Sequence, residues 1–265
     1  MGDEVESMGK SQNIVFGVNP ILEKLKASAD DISELLISNG SDRSALQLIR
    51  REAGRFGLRI LSVDSKRLDQ LAEGHRHQGV VAIVEPYRYS AFADLLQGIS
   101  TSTNSEWILI LDGLTDPRNF GALLRTAEAV GVRHIVIPKD RSVAVTPIVV
   151  KASAGAAHHV KIVKVTNLRR TIGILKEYGY WIVGLDAQSR ESVYDRQYPS
   201  KLALVLGSEG RGVRPVNLRE CDFLVSIPML GKVGSLNVAV AGAVFLYELL
   251  RQMRHGAHVV AEKKP

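Results

Sequence analysis

Polar side chains stand beside glycines in three segments of the C-terminal half of the sequence. The segments are "LDGLTDPRNFGALLRTA", "LVLGSEGRGVRP" and "IPMLGKVGSLNVA". Each follows or includes an apolar stretch that is typical of a β-strand. Open α/β sheets bind their ligands beyond the carboxyl ends of the strands. We therefore expect any binding or catalytic site of this chain to be built from these three loops.

The first loop contains one arginine that helix capping does not explain. Asp116 is suited to cap a helix that begins at Pro117. Arg125 interrupts the apolar face of that helix, and Gly121, one turn earlier on the same side, leaves space beside the guanidinium. Asn119 precedes Arg125 by six residues, about 240° around an ideal helix, so the two converge only if Asn119 lies in the turn. From these residues alone, Arg125 is equally consistent with a salt bridge.

The second loop places three glycines around a carboxylate. Gly207, Gly210 and Gly212 flank Glu209, and glycines allow positive φ angles and let a backbone approach a ligand closely. The alternative is a glycine-rich turn with a solvent-exposed Glu209. The spacing of these glycines is not G-x-G-x-x-G. The sequence also lacks the G-K-[ST] of a phosphate-binding loop, because "LGKVGS" in the third loop has valine after its lysine. We therefore exclude a nucleoside triphosphatase.

The third loop leads into an apolar helix. Ser235 and Asn237 can satisfy free N–H groups at the start of that helix. The helix itself is built almost wholly of Ala, Val, Leu and Gly, and a helix that is apolar on all sides must be covered on all sides. One face of this helix can pack on the sheet. The simplest way to bury a second apolar face is contact with a second subunit. The pattern predicts a homodimer.

The elements that position these loops form two α/β series. Strand and helix patterns alternate in residues 12–88, which predicts a small α/β domain, and again in residues 106–256, where near-continuous apolar strands are typical of a parallel sheet. Residues 89–105 end in a Ser/Thr/Asn-rich stretch and are predicted to be a linker. The remaining residues, 1–11 and 257–265, are predicted to be tails.

Charge and composition limit the classes of function. The formal net charge is +6, and residues 1–90 hold 12 basic and 13 acidic side chains, so the basic excess belongs to the C-terminal part. This favours a polyanionic partner, although a solubility surface explains it equally well. The single cysteine, Cys221, excludes a disulfide framework and fits a reducing compartment. No histidine spacing indicates a metal site. Without a signal segment or a long apolar run, we expect a soluble, cytoplasmic protein.

Together the three loops resemble the three motifs of the SpoU/TrmH branch of the SPOUT methyltransferases. "DPRNFGALLRTA", "LVLGSEGRG" and "IPMLGKVGSLNVAVA" are similar to its first, second and third motifs in order. "VFGVNPILEKLKA" and "HRHQGVVAIVEP" resemble the substrate-binding domain of the subgroup that methylates the ribose of a guanosine in bacterial 23S ribosomal RNA. The resemblance implies a trefoil knot in the C-terminal domain and a homodimer with the active site at the subunit interface.

The resemblance also implies a cofactor and a set of site residues. The cofactor is S-adenosylmethionine, without a metal, and the residues at the family's cofactor positions are Gly207, Ile227, Met229 and Leu236. The family's catalytic positions are occupied by Asn119, Arg125, Glu209, Ser235 and Asn237. Because a guanidinium is a poor base, we expect Arg125 to stabilise the developing alkoxide or to bind the adjacent phosphate rather than to remove the hydroxyl proton.

The resemblance favours ribosomal RNA as the substrate, with two alternatives. A 2′-O-methyltransferase of the same fold could act on transfer RNA, and an RNA-binding assembly factor could keep the fold without catalysis. In the N-terminal domain, Arg43, Arg50, Arg51 and Arg55 form a basic helical cluster that could contact RNA phosphates. A solvated helix face explains these arginines equally well.

Overall fold

The computed structural model describes residues 13–40, 44–101 and 106–255. The chain divides into two compact units, with the division between Tyr87 and Arg88. The predicted tails, 1–11 and 257–265, lie outside the described residues. Within the described ranges, no helix combines the length and the apolar character that crossing a membrane requires.

The first unit is a four-stranded mixed sheet with helices. The elements are β1 (Ile14–Phe16), α1 (Val18–Ser28), β2 (Ile32–Ser38), α2 (Ser44–Arg55), β3 (Ile60–Val63), α3 (Ser65–Leu71) and β4 (Val80–Val84). The strands lie in the order β1-β4-β2-β3, with β2 and β3 parallel and β4 antiparallel to both of its neighbours. One core cluster joins Ile14, Phe16 and Val81 of the sheet to Leu68 of α3.

The second unit contains a six-stranded parallel sheet, as the near-continuous apolar stretches predict. The strands are β5 (Glu106–Asp112), β6 (His134–Pro138), β7 (Lys161–Val165), β8 (Trp181–Leu185), β9 (Lys201–Gly207) and β10 (Phe223–Val225). The strand order is β10-β8-β9-β5-β6-β7, and every pairing between these strands is parallel. The inner strands β5, β6 and β9 are buried on both faces, which explains their lack of polar alternation.

Helices fill the connections between these strands. They are α4 (Phe92–Thr101), α5 (Pro117–Ala129), α6 (Pro147–Ala152), α7 (Leu168–Glu177), α8 (Pro215–Leu218) and α9 (Val238–Arg254). The α/β class and the parallel sheet of the C-terminal domain are therefore confirmed. The trefoil knot implied by the resemblance stays a prediction.

Helix α4 differs from the predicted linker at 89–105. Its residues Leu95 and Ile99 are buried in the core of the second unit. The polar composition at the end of the segment indicated a linker, but Phe92, Leu95, Leu96 and Ile99 recur at helical spacing and form an apolar face. That face covers part of the sheet, so most of the segment belongs to the second unit's core.

The start of the second unit runs along one edge of the sheet. The Ser90 N–H donates to the Ile162 carbonyl at 2.9 Å, and Ser90 forms an isolated parallel bridge with Val163. The Lys164 ammonium lies 3.9 Å from the centre of the Tyr89 ring. These contacts attach the chain before α4 to strand β7.

Candidate active site

Three polar residues from the three predicted loops meet in one hydrogen-bonded cluster. The Asn119 amide donates to Glu209 Oε1 at 2.6 Å, and the Asn237 amide donates to the same oxygen at 2.7 Å. The Asn237 amide also donates to Asn119 Oδ1 at 3.0 Å. Two amide donors therefore hold the Glu209 carboxylate in one orientation, although the glutamate is exposed to solvent. We call these three residues the polar cluster.

Two helix starts fix the asparagines of the polar cluster. Asp116 caps α5, as predicted, and its Oδ1 accepts from the Arg118 and Asn119 N–H groups at 2.8 Å each. Asn237 caps α9, and its Oδ1 accepts from the Ala239 N–H at 2.9 Å. Asn237 thus uses its oxygen for the helix and its nitrogen for the cluster. The polar residue at the start of this apolar helix therefore both caps the helix and orients Glu209.

The loop after β9 folds back on its own strand. A Cβ added at Gly207 would lie 1.8 Å from the Gly212 carbonyl carbon, so only glycine permits this crossing. Ser208 and Gly212 exchange two backbone hydrogen bonds, at 2.9 and 3.1 Å, and close the loop that carries Glu209. Gly210 and Gly212 have positive φ angles, as the sequence indicated, whereas Gly207 is required by the close approach of backbone.

A buried carboxylate that the sequence analysis missed anchors the same loop. Asp112, at the end of β5, has no exposed side-chain surface and forms an ion pair with Arg214. It accepts from Arg214 Nε at 2.6 Å, from the Arg214 N–H at 2.9 Å and from Asn217 Nδ2 at 2.8 Å. The feature of the sequence that could have indicated it is an aspartate that directly follows five apolar residues in β5. Asp112 holds the chain that follows the Glu209 loop against β5.

The loops after β8, β9 and β10 enclose a cavity of about 390 Å³. Its wall includes all four residues predicted to bind the cofactor, namely Gly207, Ile227, Met229 and Leu236. Glu209 and Ser235 line the same cavity, so the polar cluster stands at its side. Ser235 makes no hydrogen bond within the described part of the chain and caps nothing, in contrast to Asn237. We call this space the first cavity.

Arg125 does not belong to the polar cluster of its own chain. Asn119 is already in helix α5, so the condition for the two side chains to converge is not met. Six residues along a helix separate them by about 9 Å of rise and about 240° of rotation. The Arg125 side chain is exposed and makes no hydrogen bond or ion pair with any described residue.

The expected role of Gly121 beside Arg125 is also wrong. A Cβ at Gly121 would lie 2.4 Å from the Ala152 Cβ and 2.9 Å from the Ser153 nitrogen. The absent side chain therefore lets α5 and α6 pack closely, and it does not provide room for a guanidinium.

The basic cluster on α2 is partly neutralised. Arg51 and Arg55 both form ion pairs with Glu52, at 3.4 and 2.8 Å, and both remain about two-thirds exposed. Arg50 is exposed and has no bonded partner among the described residues. Arg43 lies outside the described residues. The pairs with Glu52 reduce the positive charge that this helix offers to RNA.

Comparison with known proteins identifies the class of enzyme that this fold and site define. Residues 106–247 match the family model of the SpoU rRNA Methylase family. Residues 14–90 match the model described as RNA 2'-O ribose methyltransferase substrate binding. The chain therefore belongs to the SpoU rRNA methylase family.

Relatives and solved structures align with different shares of the chain. The 23S rRNA (guanosine-2'-O-)-methyltransferase RlmB of Shewanella oneidensis is 43% identical over 245 residues, which are 92% of this chain and 99% of the relative. The SpoU methyltransferase AviRb of Streptomyces viridochromogenes, solved in complex with the cofactor AdoMet, is 25% identical with a TM-score of 0.75, covering 92% of this chain and 91% of that one. The A. aeolicus TrmH/SpoU tRNA modifying enzyme is 27% identical with a TM-score of 0.53, covering 63% of this chain and 86% of that one.

Proposed function

We propose that this protein transfers a methyl group from S-adenosylmethionine to the ribose 2′-hydroxyl of a guanosine in 23S ribosomal RNA. The main support for this reaction is the hydrogen-bonded cluster of Asn119, Glu209 and Asn237 beside the first cavity. These residues come from three separate loops, and all three loops lie within the matched methylase domain.

The first cavity fits S-adenosylmethionine in size and in chemistry. Its volume of about 390 Å³ falls within the range of small-molecule sites. Leu206, Ile227 and Leu236 offer an apolar wall for an adenine ring. Asp186 and Ser208 offer polar groups to sugar hydroxyls and to the charged amino-acid end. The close backbone crossing at Gly207 lets main-chain groups reach such a ligand.

The polar cluster would orient the ribose hydroxyl. When bound, S-adenosylmethionine supplies a methyl group on a sulfonium and leaves as a neutral thioether, so the leaving group needs little stabilisation. The 2′-hydroxyl is a weak nucleophile and must be aligned. Glu209 can accept a hydrogen bond from this hydroxyl, while Asn119 and Asn237 keep the carboxylate in place. As the bond between oxygen and the methyl carbon forms, the hydroxyl proton passes to Glu209 and, because Glu209 is exposed, on to water. The developing negative charge on oxygen then needs a cation nearby.

We propose that this cation is Arg125 of a second copy of the chain. Arg125 is exposed and unbonded within the described residues, and it lies about 240° around α5 from Asn119. An apolar surface suited to a dimer lies beside the site. Val240 and Tyr247 on α9 are 49% and 53% exposed, and Leu230 and Val233 in the preceding loop are 103% and 70% exposed. Apolar side chains grouped on a surface in this way are typical of an interface.

The match across both units supports ribosomal RNA as the target. The relative named for 23S rRNA aligns with 92% of the chain, including the substrate-binding domain. The tRNA modifying structure aligns with 63%. Within the substrate-binding domain, we propose that Arg50, Arg51 and Arg55 contribute phosphate contacts, with Arg50 the least neutralised. The double variant Arg50→Ala/Arg51→Ala is expected to weaken RNA binding and to flatten its salt dependence.

The function is tested by methyl transfer from radiolabelled S-adenosylmethionine to unmodified 23S rRNA, followed by digestion to nucleosides. We expect the label in 2′-O-methylguanosine, and none after Glu209→Ala. Transfer RNA is assayed in parallel. Label on transfer RNA alone would keep the reaction and change the substrate. Cofactor binding without methyl transfer to either RNA would favour the non-catalytic assembly factor.

The shared site is tested by mixing two inactive variants, Arg125→Ala and Glu209→Ala, under conditions that exchange subunits. If each site takes Arg125 from the partner, half of the dimers are mixed and each mixed dimer has one intact site of two. Methyl transfer then returns to about one quarter of the wild-type rate. If Arg125 acts within its own chain, no intact site forms and the mixture stays inactive.

A further inference from the structure

A second cavity of about 600 Å³ lies next to the first. It is lined by the loops that follow β5, β6 and β9. Ser208, Glu209, Arg211, Gly212 and Pro215 line both cavities, so the Glu209 loop is a shared wall. A group bound in the second cavity therefore lies beside the residue that we assign to the ribose hydroxyl.

The charged residues of the second cavity do not by themselves indicate an anion or a cation. Four carboxylates and three guanidiniums are present, but most of them already have partners. Asp112 and Arg214 neutralise each other in their ion pair. Asp116 accepts from the first N–H groups of α5, and Glu209 accepts from two amides.

Three charged residues of the cavity remain without partners in the described ranges, namely Asp140, Arg141 and Arg211. All three are exposed. Two guanidiniums and one carboxylate leave a local excess of positive charge. The guanidinium group is planar and can donate two parallel hydrogen bonds to a phosphate.

The loop that carries Arg141 contacts the loop after β5. Arg141 has a φ of 56°, a left-handed conformation that is uncommon for a residue with a side chain. The Val143 N–H donates to the Leu114 carbonyl at 2.9 Å, which ties this loop to the loop after β5. The position of a Cβ at Gly113 is 3.9 Å from the Arg141 carbonyl oxygen, so the two loops are in contact. An uncommon backbone conformation held by its neighbours often marks a binding site.

We propose that the second cavity binds the phosphodiester on the 3′ side of the target ribose, through Arg141 and Arg211. In RNA this phosphate is attached to the carbon next to the one that bears the 2′-hydroxyl. A phosphate in the second cavity and a hydroxyl at Glu209 therefore belong to one nucleotide. The inference rests on the proposed function, because the ribose position is assigned from it.

The test compares Arg141→Ala with Arg133→Ala in the full-length protein. The two arginines flank the same strand, since Arg133 precedes β6 and Arg141 follows it at the end that carries the site. Both are exposed and unbonded through their side chains in the described structure. Removing either one changes the net charge equally. The probe is unmodified 23S rRNA transcript, with binding measured over a series of KCl concentrations and methyl transfer measured beside it.

We expect Arg141→Ala to weaken RNA binding about tenfold and to reduce the slope of log affinity against log salt by about 0.7–0.9. Arg133→Ala should stay within about twofold of the wild type, and Arg141→Lys should recover most of the slope because lysine still provides a point charge. The affinity for S-adenosylmethionine, measured by calorimetry, should not change, since Arg141 lines only the second cavity.

Equal RNA binding by Arg141→Ala and Arg133→Ala would overturn the phosphate site, whatever the activity of the wild type. A loss in Arg141→Ala that does not depend on salt, and that lysine does not restore, would also overturn it and would indicate a base contact. If Arg141→Ala binds RNA more weakly and with a smaller salt slope than Arg133→Ala, while the wild type methylates no RNA, the phosphate site is supported and the proposed reaction is refuted. The two hypotheses are thus separated.

Discussion

Replacing Asp112 by alanine is the sharpest test of how the site is held together. Asp112 is fully buried and accepts three hydrogen bonds from two residues that follow the Glu209 loop. Without it, the buried Asn217 amide and the Arg214 N–H lose their acceptor. The Glu209 loop also loses its attachment to β5. We therefore expect a loss of stability and a loss of methyl transfer.

The expected magnitude follows from the exposure of each donor. The Asn217 side chain is buried, so its unpaired amide costs about 2 kcal/mol. The Arg214 N–H lies in a part-buried position and costs about 1 kcal/mol. The Arg214 guanidinium is 51% exposed and regains water, so it adds little. The free energy of unfolding should fall by about 3 kcal/mol.

Urea denaturation followed by circular dichroism measures this change, with Asp140→Ala as the matched control. Asp140 follows the neighbouring strand, is exposed and has no partner in the described residues, so its removal should change the free energy by less than about 0.5 kcal/mol. The reasoning is refuted if both variants unfold at the same urea concentration. Full methyl transfer by Asp112→Ala at a temperature where it is folded would show that the anchor does not position Glu209.

Three further predictions use the same denaturation measurement. Gly121→Ala should destabilise the protein by about 1–3 kcal/mol because its Cβ would overlap α6. Gly173→Ala has open space at its Cβ position and should stabilise the protein by about 0.5–1 kcal/mol. Equal effects of the two substitutions would contradict the packing argument. Asn237→Ala should cost about 1 kcal/mol through the lost helix cap, and Asn237→Asp should restore the cap but not methyl transfer, because a second carboxylate then faces Glu209. Burial lowers the pKa of His134 below its usual 6.5. As the pH drops below 6.5, the imidazole therefore takes up a proton in the unfolded chain before it does so in the folded protein, and the free energy of unfolding should fall. If His134→Leu leaves this pH dependence unchanged, the prediction is wrong.

The strands and helices of the C-terminal half were predictable because their signals are local. The inner positions of the central parallel strands are apolar, and the α5 cap at Asp116 is formed by residues that lie close together in the sequence. The carboxyl-end rule for α/β sheets then placed the three loops at one site. The resemblance to a known family assigned roles that composition and spacing left open.

The errors concern contacts between distant segments. Gly121 was assigned to the space around Arg125, but its neighbour is α6, about thirty residues further along the chain. Asp112 has its partners about one hundred residues away, and a single aspartate at a strand end does not reveal them. Such pairings depend on the tertiary fold. The missed helix α4 is a different kind of error, because its apolar spacing is a local signal and the polar stretch after it was given more weight.

The two edges of the parallel sheet limit how copies of this protein can associate. At one edge, β10 has only three residues, and at the other Ser90 already occupies part of β7, beside the charged Lys161 and Lys164. Short strands, covered backbone and lysines are the features that prevent a sheet from recruiting a strand of another molecule. Growth into continuous intermolecular sheets is therefore disfavoured at both ends. The surfaces left for self-association are side-chain surfaces such as α9, where the dimer that we propose would close after two copies.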